Sequence, residues 1–501
     1  MKVVDLEADG QTVSVDGFRL KDLDKWLTTG GGAADIIAHA ASRCNLNCRF
    51  CYNKYEPATL KHEVRTPEEE HQEIKERITR YVPGSKLNIF PTMGSPAEAL
   101  AHPHILDILI ELRRKTKEIF RIPTNGSTLN PGMIQKLVPL KPIYIDISLN
   151  SSSPERRAWL MQDPEPMIAL NALGHLKTVE IPFTVVIVPW PFPSTELMID
   201  DLKETIAFAK TFDPALIQIS LPGYGRSSSS KELFNHNQVW NKIRTTTQEL
   251  RPHTDCPLVI RPGLYEEADY PSRVNDPLVT GVIKGSPACL AGIRAGDRIL
   301  KVNGLPVKNR PQTRVLLRTI HESDLSTTSL TVKRAKEPVD LEVDLRKFNY
   351  PYARLSATQL GIVFASSGIP EEWIERLKEI IISRQGREVL LFSSSLVKPV
   401  LEKILSERGF IPDINLYIRV PRNRYFGGNI FMGDLLVVAD FISAIEEFIN
   451  NEKIQPDLVL IPSSPFHLSG WGRDMVGRVY LEIERQTKIP VALVECETIF
   501  D

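Results

Sequence analysis

Arg43-Cys44-Asn45-Leu46-Asn47-Cys48-Arg49-Phe50-Cys51-Tyr52-Asn53 holds three of the six cysteines of this 501-residue chain, spaced Cys-x3-Cys-x2-Cys. It follows a short apolar run, Ile36-Ile37-Ala38, that reads as a strand. A loop leaving a strand can fold three thiolates onto one face of an iron-sulfur cube. Such cubes usually take four cysteine ligands. No further cysteine or histidine follows at ligand spacing, so the fourth iron stays open to a small molecule carrying an amino and a carboxylate group.

Two plainer readings compete. A disulfide framework does not suit three clustered cysteines in a sequence that shows no secretory or membrane segment. A closed zinc site needs a fourth ligand, which His39 or His62 could supply, although neither stands at a zinc-finger spacing.

With Phe50 just before the last cysteine, the stretch resembles the radical S-adenosylmethionine (SAM) superfamily. The resemblance implies that Cys44, Cys48 and Cys51 bind a 4Fe-4S cluster and that SAM chelates its open iron. It further implies a low-potential electron donor of the ferredoxin or flavodoxin type, and a 5'-deoxyadenosyl radical that takes hydrogen from a substrate.

Composition is that of an ordinary globular chain: 42% hydrophobic, 25% charged, net charge -1. Without a basic stripe, bulk attraction to nucleic acid or to an anionic membrane is not indicated. Apolar runs fall short of the roughly 20 residues of a membrane span. The expected compartment is the reducing cytoplasm.

The fold expected is α/β: a six-unit partial (β/α) barrel of radical SAM type, a small β-rich PDZ-like domain and a second α/β domain. Residues 1–33 read as an extension and connector, with a strand near Thr12 to Val15, a helix over 20–27 and a glycine turn at Gly30-Gly31-Gly32. Over 34–270, strand-like runs at 36–38, 87–90, 119–122, 143–149, 183–188 and 216–220 alternate with helical periods at 105–117, 131–137, 166–176 and 197–212. Thr66-Pro67-Glu68-Glu69 predicts a capped helix start. Parallel strands need such crossovers, and ligands of these folds gather at the strand C-terminal ends.

At those ends the family usually carries a Gly-Gly-Glu-like turn that meets the SAM amino group. Gly94 fits it, but Ser95 takes the place of the Glu, and Glu98 lies three residues on. Thr124-Asn125-Gly126 resembles the Thr-Asn-Gly turn of the family. In 143–149 the alternation puts Asp146, Ser148 and Asn150 on one face, a polar row that must meet a ligand or its own members. Phe50, Gly94, Thr124, Asn125, Ser148 and Asn150 are therefore the candidate SAM contacts. Leu221-Pro222-Gly223-Tyr224-Gly225-Arg226 is a further candidate loop, and Cys256 reads as a buried, inert thiol.

Over 275–347 the segments Gly285-Ser286-Pro287-Ala288 and Gly296-Asp297-Arg298-Ile299 closely resemble a bacterial-type PDZ domain, with closing strands near 330–333 and 341–345. PDZ modules add an extended segment to a sheet edge, which implies a peptide or protein partner. No Gly-Leu-Gly-Phe-like loop precedes Val279.

The remainder, 350–501, returns to α/β alternation, with strands expected at 360–364, 388–392, 435–439, 458–461 and 491–494 and helices at 371–383 and 398–408. Its Asn423-Arg424-Tyr425-Phe426-Gly427-Gly428 and Gly433-Asp434 resemble the C-terminal domain of a family of iron-sulfur oxidoreductases that also carry PDZ and radical SAM-like parts, in a different order. Asn423, Phe426, Gly428 and Asp434 could line the barrel mouth. The expected function is reductive SAM cleavage acting on an unidentified substrate. The rivals are an iron-sulfur electron carrier or sensor that never cleaves SAM, and a scaffold around a structural metal.

Overall fold

In a computed structural model of the chain, the described residues are 3–8, 11–16, 32–51, 65–83, 97–228, 233–269, 274–321, 323–346, 358–408, 411–430, 433–466 and 472–496. The expected helix over 20–27, the strand over 87–90 and Gly94 with its turn lie outside them.

An antiparallel hairpin of β1 (Val3–Ala8) and β2 (Gln11–Asp16) comes first. The apolar run before the cysteines is a helix, Ala33–Ala38, and not the expected strand. Ala33, Ile36 and Ile37 are buried at the i, i+3, i+4 spacing of one helical face. The run of three apolar residues was too short to show this period. The next helix, Pro67–Arg80, starts as expected: the Thr66 hydroxyl accepts from the Glu69 N–H, and the Glu69 carboxylate accepts from the Thr66 N–H.

Five parallel strands follow in sequential order: β3 (Phe120–Thr124), β4 (Ile143–Ser148), β5 (Phe183–Ile187), β6 (Leu216–Ser220) and β7 (Leu258–Arg261). Sequential parallel neighbours joined by helices are the arrangement of a β/α barrel. Four of these strands stand where the sequence placed them; β7 was not foreseen, nor were the helices Pro154–Met161 and His236–Leu250. One face of the sheet, with Ile145, Ile147, Ile217, Ile219 and Ile260, is buried with helical residues such as Leu202 and Ile243. The other face carries Tyr144 and Asp146 of β4, Leu216 and Gln218 of β6 and Val259 of β7.

The small β-rich domain consists of β8 (Gly281–Val282), β9 (Arg298–Val302), β10 (Leu305–Pro306), β11 (Thr327–Arg334) and β12 (Glu337–Asp344), with a helix at Arg310–His321. Its core also takes Leu360, Ile362 and Phe364 from beyond residue 347. β13 (Ile362–Val363) pairs antiparallel with β8, and the segment leading into it is Gln359-Leu360-Gly361. Ile283 and Val363 are buried against Tyr144, Ala215, Leu216 and Val259, so this domain sits on the starts of the barrel strands.

The last domain has a parallel sheet of β14 (Glu388–Phe392), β15 (Asn415–Arg419), β16 (Leu458–Pro462) and β17 (Val491–Val494), ordered β15-β14-β16-β17. The expected strand over 435–439 is a correction. A helix, Val438–Glu452, begins inside it. The Asp440 carboxylate accepts the Val437 N–H at 3.2 Å, and Val438, Phe441, Ile445 and Phe448 are buried at helical spacing.

A buried junction ties the three parts together. Glu267 at the barrel's end accepts from Arg310 of the small domain and from Ser366 of the last linker. Asn275 donates to the Ile369 carbonyl at 2.7 Å and accepts from the Ile369 N–H at 3.0 Å. Gly368 crosses Asn275 with φ +76°, where a Cβ would lie 2.5 Å from Oδ1; only glycine suits that approach.

Candidate functional site

The cysteine loop is fixed by its backbone. Asn47 N–H donates to the Met161 carbonyl at 3.3 Å and Arg49 N–H to the Leu160 carbonyl at 2.8 Å, which hangs the loop on the end of the helix Pro154–Met161. The Arg49 guanidinium lies 4.5 Å from the centre of the Trp159 ring and donates to the Trp159 carbonyl. Between these anchors Cys48 and Phe50 pack on the buried Leu160, Met161 and Trp190. The Phe50 ring stands 6.2 Å from Trp190, which in turn meets Phe234 at 5.6 Å.

None of the three cysteines forms a disulfide; Cys44 is exposed and Cys48 and Cys51 are half-buried. Three cysteine thiols in one loop are the kind of donor set that an iron-sulfur cluster takes. Protein atoms around Cys44 raise its thiol above the ordinary value, and the Glu98 charge adds to the rise. A bound cation removes that proton.

The end of β3 faces the loop. Asn125 Nδ2 donates to Asn45 Oδ1 at 2.8 Å and points at Cys44 Sγ, 3.7 Å away. This turn is held from below by Glu98, which is 3% exposed. Its carboxylate accepts from the Thr124 hydroxyl at 2.7 Å and the Asn125 N–H at 2.5 Å. Burial pushes the Glu98 carboxyl up to about 7 despite these donors. Thr124 is thus spent on Glu98 and, as acceptor, on the Gly126 N–H.

The polar row of β4 divides. Asp146 pairs with Arg121 of β3 at 2.5 Å. Asn150 adopts φ 63° and is buried, its Oδ1 accepting from the Val188 N–H at 2.9 Å and its Nδ2 lying 3.2 Å from Met161 Sδ. Its carboxamide ties β4 to β5. Ser148 is half-buried at the strand end, and its carbonyl accepts from Arg157. Arg157 is the residue sequence reading missed. Fully buried, it donates to the carbonyls of Asn125 (2.5 Å), Ser148 (2.9 Å) and Leu149 (2.7 Å) and pairs with Asp163 at 2.9 Å. No local signal separates it from its helix neighbour Arg156.

The last domain reaches this end of the barrel. Tyr224 N–H donates to Asn429 Oδ1 at 2.7 Å, Asn429 N–H to the Tyr224 carbonyl at 3.0 Å, and Arg226 N–H to the Phe426 carbonyl at 2.7 Å. A Cβ on Gly428 would lie 1.9 Å from that Tyr224 carbonyl oxygen. Tyr224 in turn stacks edge-on with Phe234 at 5.0 Å. Asn423 accepts from the Phe426 N–H and donates to the Leu435 carbonyl, shaping the loop, and Asp434 is buried. Cys256 is buried far from the loop in sequence, and burial drives its thiol far up, as expected of an inert cysteine.

Residues 40–206 match the Radical SAM superfamily. The chain carries a radical SAM domain. Residues 278–334 match the PDZ domain, so the module seated on the strand starts is a PDZ domain. Among curated proteins, the "Probable CtpA-like serine protease" of Staphylococcus aureus strains COL and N315 is 33% identical over 82 residues, 16% of this chain and 16% of the relative. The chain therefore spans about a sixth of the length of the curated relatives it matches. Among solved structures, SuiB of Streptococcus suis bound to S-adenosylmethionine is 13% identical, covering 47% of this chain and 52% of that one, with a TM-score of 0.34. Its complex with the precursor peptide SuiA gives 12%, 44%, 47% and 0.33, and anSMEcpe with bound AdoMet gives 15%, 48%, 68% and 0.32. Among the described residues, no helix is long and apolar enough to cross a membrane.

Proposed function

We propose that the chain is a radical SAM enzyme in which Cys44, Cys48 and Cys51 hold a 4Fe-4S cluster and bound SAM is cleaved reductively. The observation that carries this reading is the fixed loop of three cysteines, none in a disulfide, at the strand ends and inside the matched radical SAM domain. When bound, the cluster supplies the electron that splits SAM into methionine and a 5'-deoxyadenosyl radical.

The chain's own residues have distinct tasks. Leu160 and Met161 hold the loop through their carbonyls, and Asn125 stands over Cys44 as a donor to its thiolate. Glu98 and Arg157 fix the Thr124-Asn125-Gly126 turn from two sides. Phe50, Trp190 and Phe234 present an aromatic wall that excludes water. Of the SAM contacts expected, Phe50 and Ser148 are half-buried and the buried Asn125 directs its Nδ2 toward Cys44, while Thr124 and Asn150 act through the backbone they brace. A ferredoxin or flavodoxin type protein would deliver the electron, in the cytoplasm. The PDZ domain favours a peptide or protein substrate or partner.

The test is anaerobic reconstitution with iron and sulfide, then SAM and dithionite, with 5'-deoxyadenosine as readout. The parent should form it and Cys48→Ala should not. A parent with a loaded cluster and no 5'-deoxyadenosine under a physiological reductant would replace this reading with that of an electron carrier.

A further inference from the structure

A second group of ligand-type side chains lies away from the cysteine loop. His71 belongs to the helix Pro67–Arg80; His104 caps the helix Ile105–Lys115, and Asp107 lies in its first turn. Their ligand atoms all lie within 4.8 Å of one another. The two imidazoles are stacked, with centroids 4.4 Å apart and planes 6° from parallel. His71 Nε2 is buried and has no hydrogen-bond partner. A buried ring nitrogen without a partner pays the desolvation penalty of an unmade bond, and a cation between the helices would satisfy it.

We propose that His71, His104 and Asp107 form a binding site for a divalent cation of the zinc class, distinct from the cysteine cluster. Two imidazoles and a carboxylate are borderline to hard donors of the kind zinc takes, and three protein ligands leave a fourth position for water. Zinc ligands at about 2.0–2.1 Å from the metal stand about 3.3 Å apart in a tetrahedron. In-plane lone pairs of two parallel rings do not converge on one point, so binding requires one imidazole to turn out of the stack; His71 and His104 are half-buried and Asp107 is exposed.

A supporting layer stands behind the ligands. His102 is 4% exposed, and its Nδ1 accepts from the His104 N–H at 3.1 Å, which sets the backbone of that ligand. Its Nε2 faces Glu70 Oε2 at 3.4 Å, outside hydrogen-bond geometry. Glu70 Oε1 accepts from the Ser42 N–H at 2.5 Å, two residues before Cys44. The metal would staple the two helices at the point where Glu70 holds the entry to the cysteine loop.

The experiment uses the full chain with its iron-sulfur cluster reconstituted and iron measured before and after zinc is added. Calorimetric titration with Zn²⁺ alone should give one ion per chain without loss of iron. His71→Ala and His104→Ala should each weaken it by at least about tenfold, and exposed His253→Ala should not. Asp107→Asn alters an exposed side chain and should weaken zinc without changing the circular dichroism spectrum. Equal zinc affinity in the parent, His71→Ala and Asp107→Asn, or zinc uptake only as iron leaves, would overturn the proposal.

Discussion

At the starts of the barrel strands Tyr144, Leu216 and Val259 are buried against Ile283 and Val363 of the PDZ domain. At the strand ends the buried groups are instead Glu98, Thr124, Asn125, Asn150 and Arg157, each held by named hydrogen bonds. Apolar burial is non-directional and tolerates small shifts. Hydrogen bonds to buried charge fix positions to fractions of an ångström and are expensive to break. One end of the barrel is closed by packing, and the end facing the cysteine loop is held by geometry. The last domain joins that second end with the same device, backbone bonds from Tyr224 and Arg226.

Arg157→Ala should give the largest effect. The side chain bridges three carbonyls at the ends of β3 and β4, and its removal leaves Asp163 buried without its ion pair. Breaking such a pair costs about 3–5 kcal/mol. Urea unfolding at neutral pH should show this loss, and cluster loading after reconstitution should fall with it. A loss below about 1 kcal/mol would mean that the polar end is not held through Arg157.

Glu98 sharpens the same contrast through pH. Its folded carboxyl lies at about 7, above the ordinary 4.5, so the folded chain keeps the proton over a range where the unfolded chain has lost it. Stability contributed by the protonated form is whole below pH 4.5 and is lost as pH rises through 7. The difference is on the order of 3 kcal/mol. Unfolding of the cluster-free chain, compared at pH 4.5 and pH 8, should lose that much more in the parent than in Glu98→Gln. Parallel pH profiles would show that the carboxyl ionises freely where it stands.

The cysteine loop was legible because its spacing is local, and so was the capping box at Thr66, where four consecutive residues state the helix start. The helix Ala33–Ala38 was not, since three apolar residues fit two periods equally well. Val438 misled for the same reason: the strand-like run 435–439 gains its helical period only when Phe441, Ile445 and Phe448 are counted with it. β7 is four residues long, within the sheet only by virtue of Ser220 and its neighbours on β6. At the site, Asn125 was named for its turn, but Glu98 and Arg157 act from 27 and 32 residues away in sequence. Nothing in a linear chain announces a bond over that distance. The strand β13 shows the same limit: a strand was expected at 360–364, but as part of the last domain, because its partner Val282 on β8 stands 80 residues before Ile362.

The smallest effect belongs to the packed end, and it separates the two designs. Ile283 is 2% exposed between the PDZ domain and the barrel. Trimming a buried isoleucine to alanine costs about 2–5 kcal/mol, and the lower figure applies where neighbours from two domains can settle into the space. Ile283→Ala should therefore destabilise the chain by about 2 kcal/mol in urea while leaving iron content after reconstitution at the parent level. No hydrogen bond at the cysteine loop depends on Ile283, so packing lost at the strand starts has no directional route to the strand ends. If iron content fell as it does in Arg157→Ala, the two ends would be mechanically one unit, and the PDZ domain would have to be counted as part of the scaffold that shapes the cluster loop.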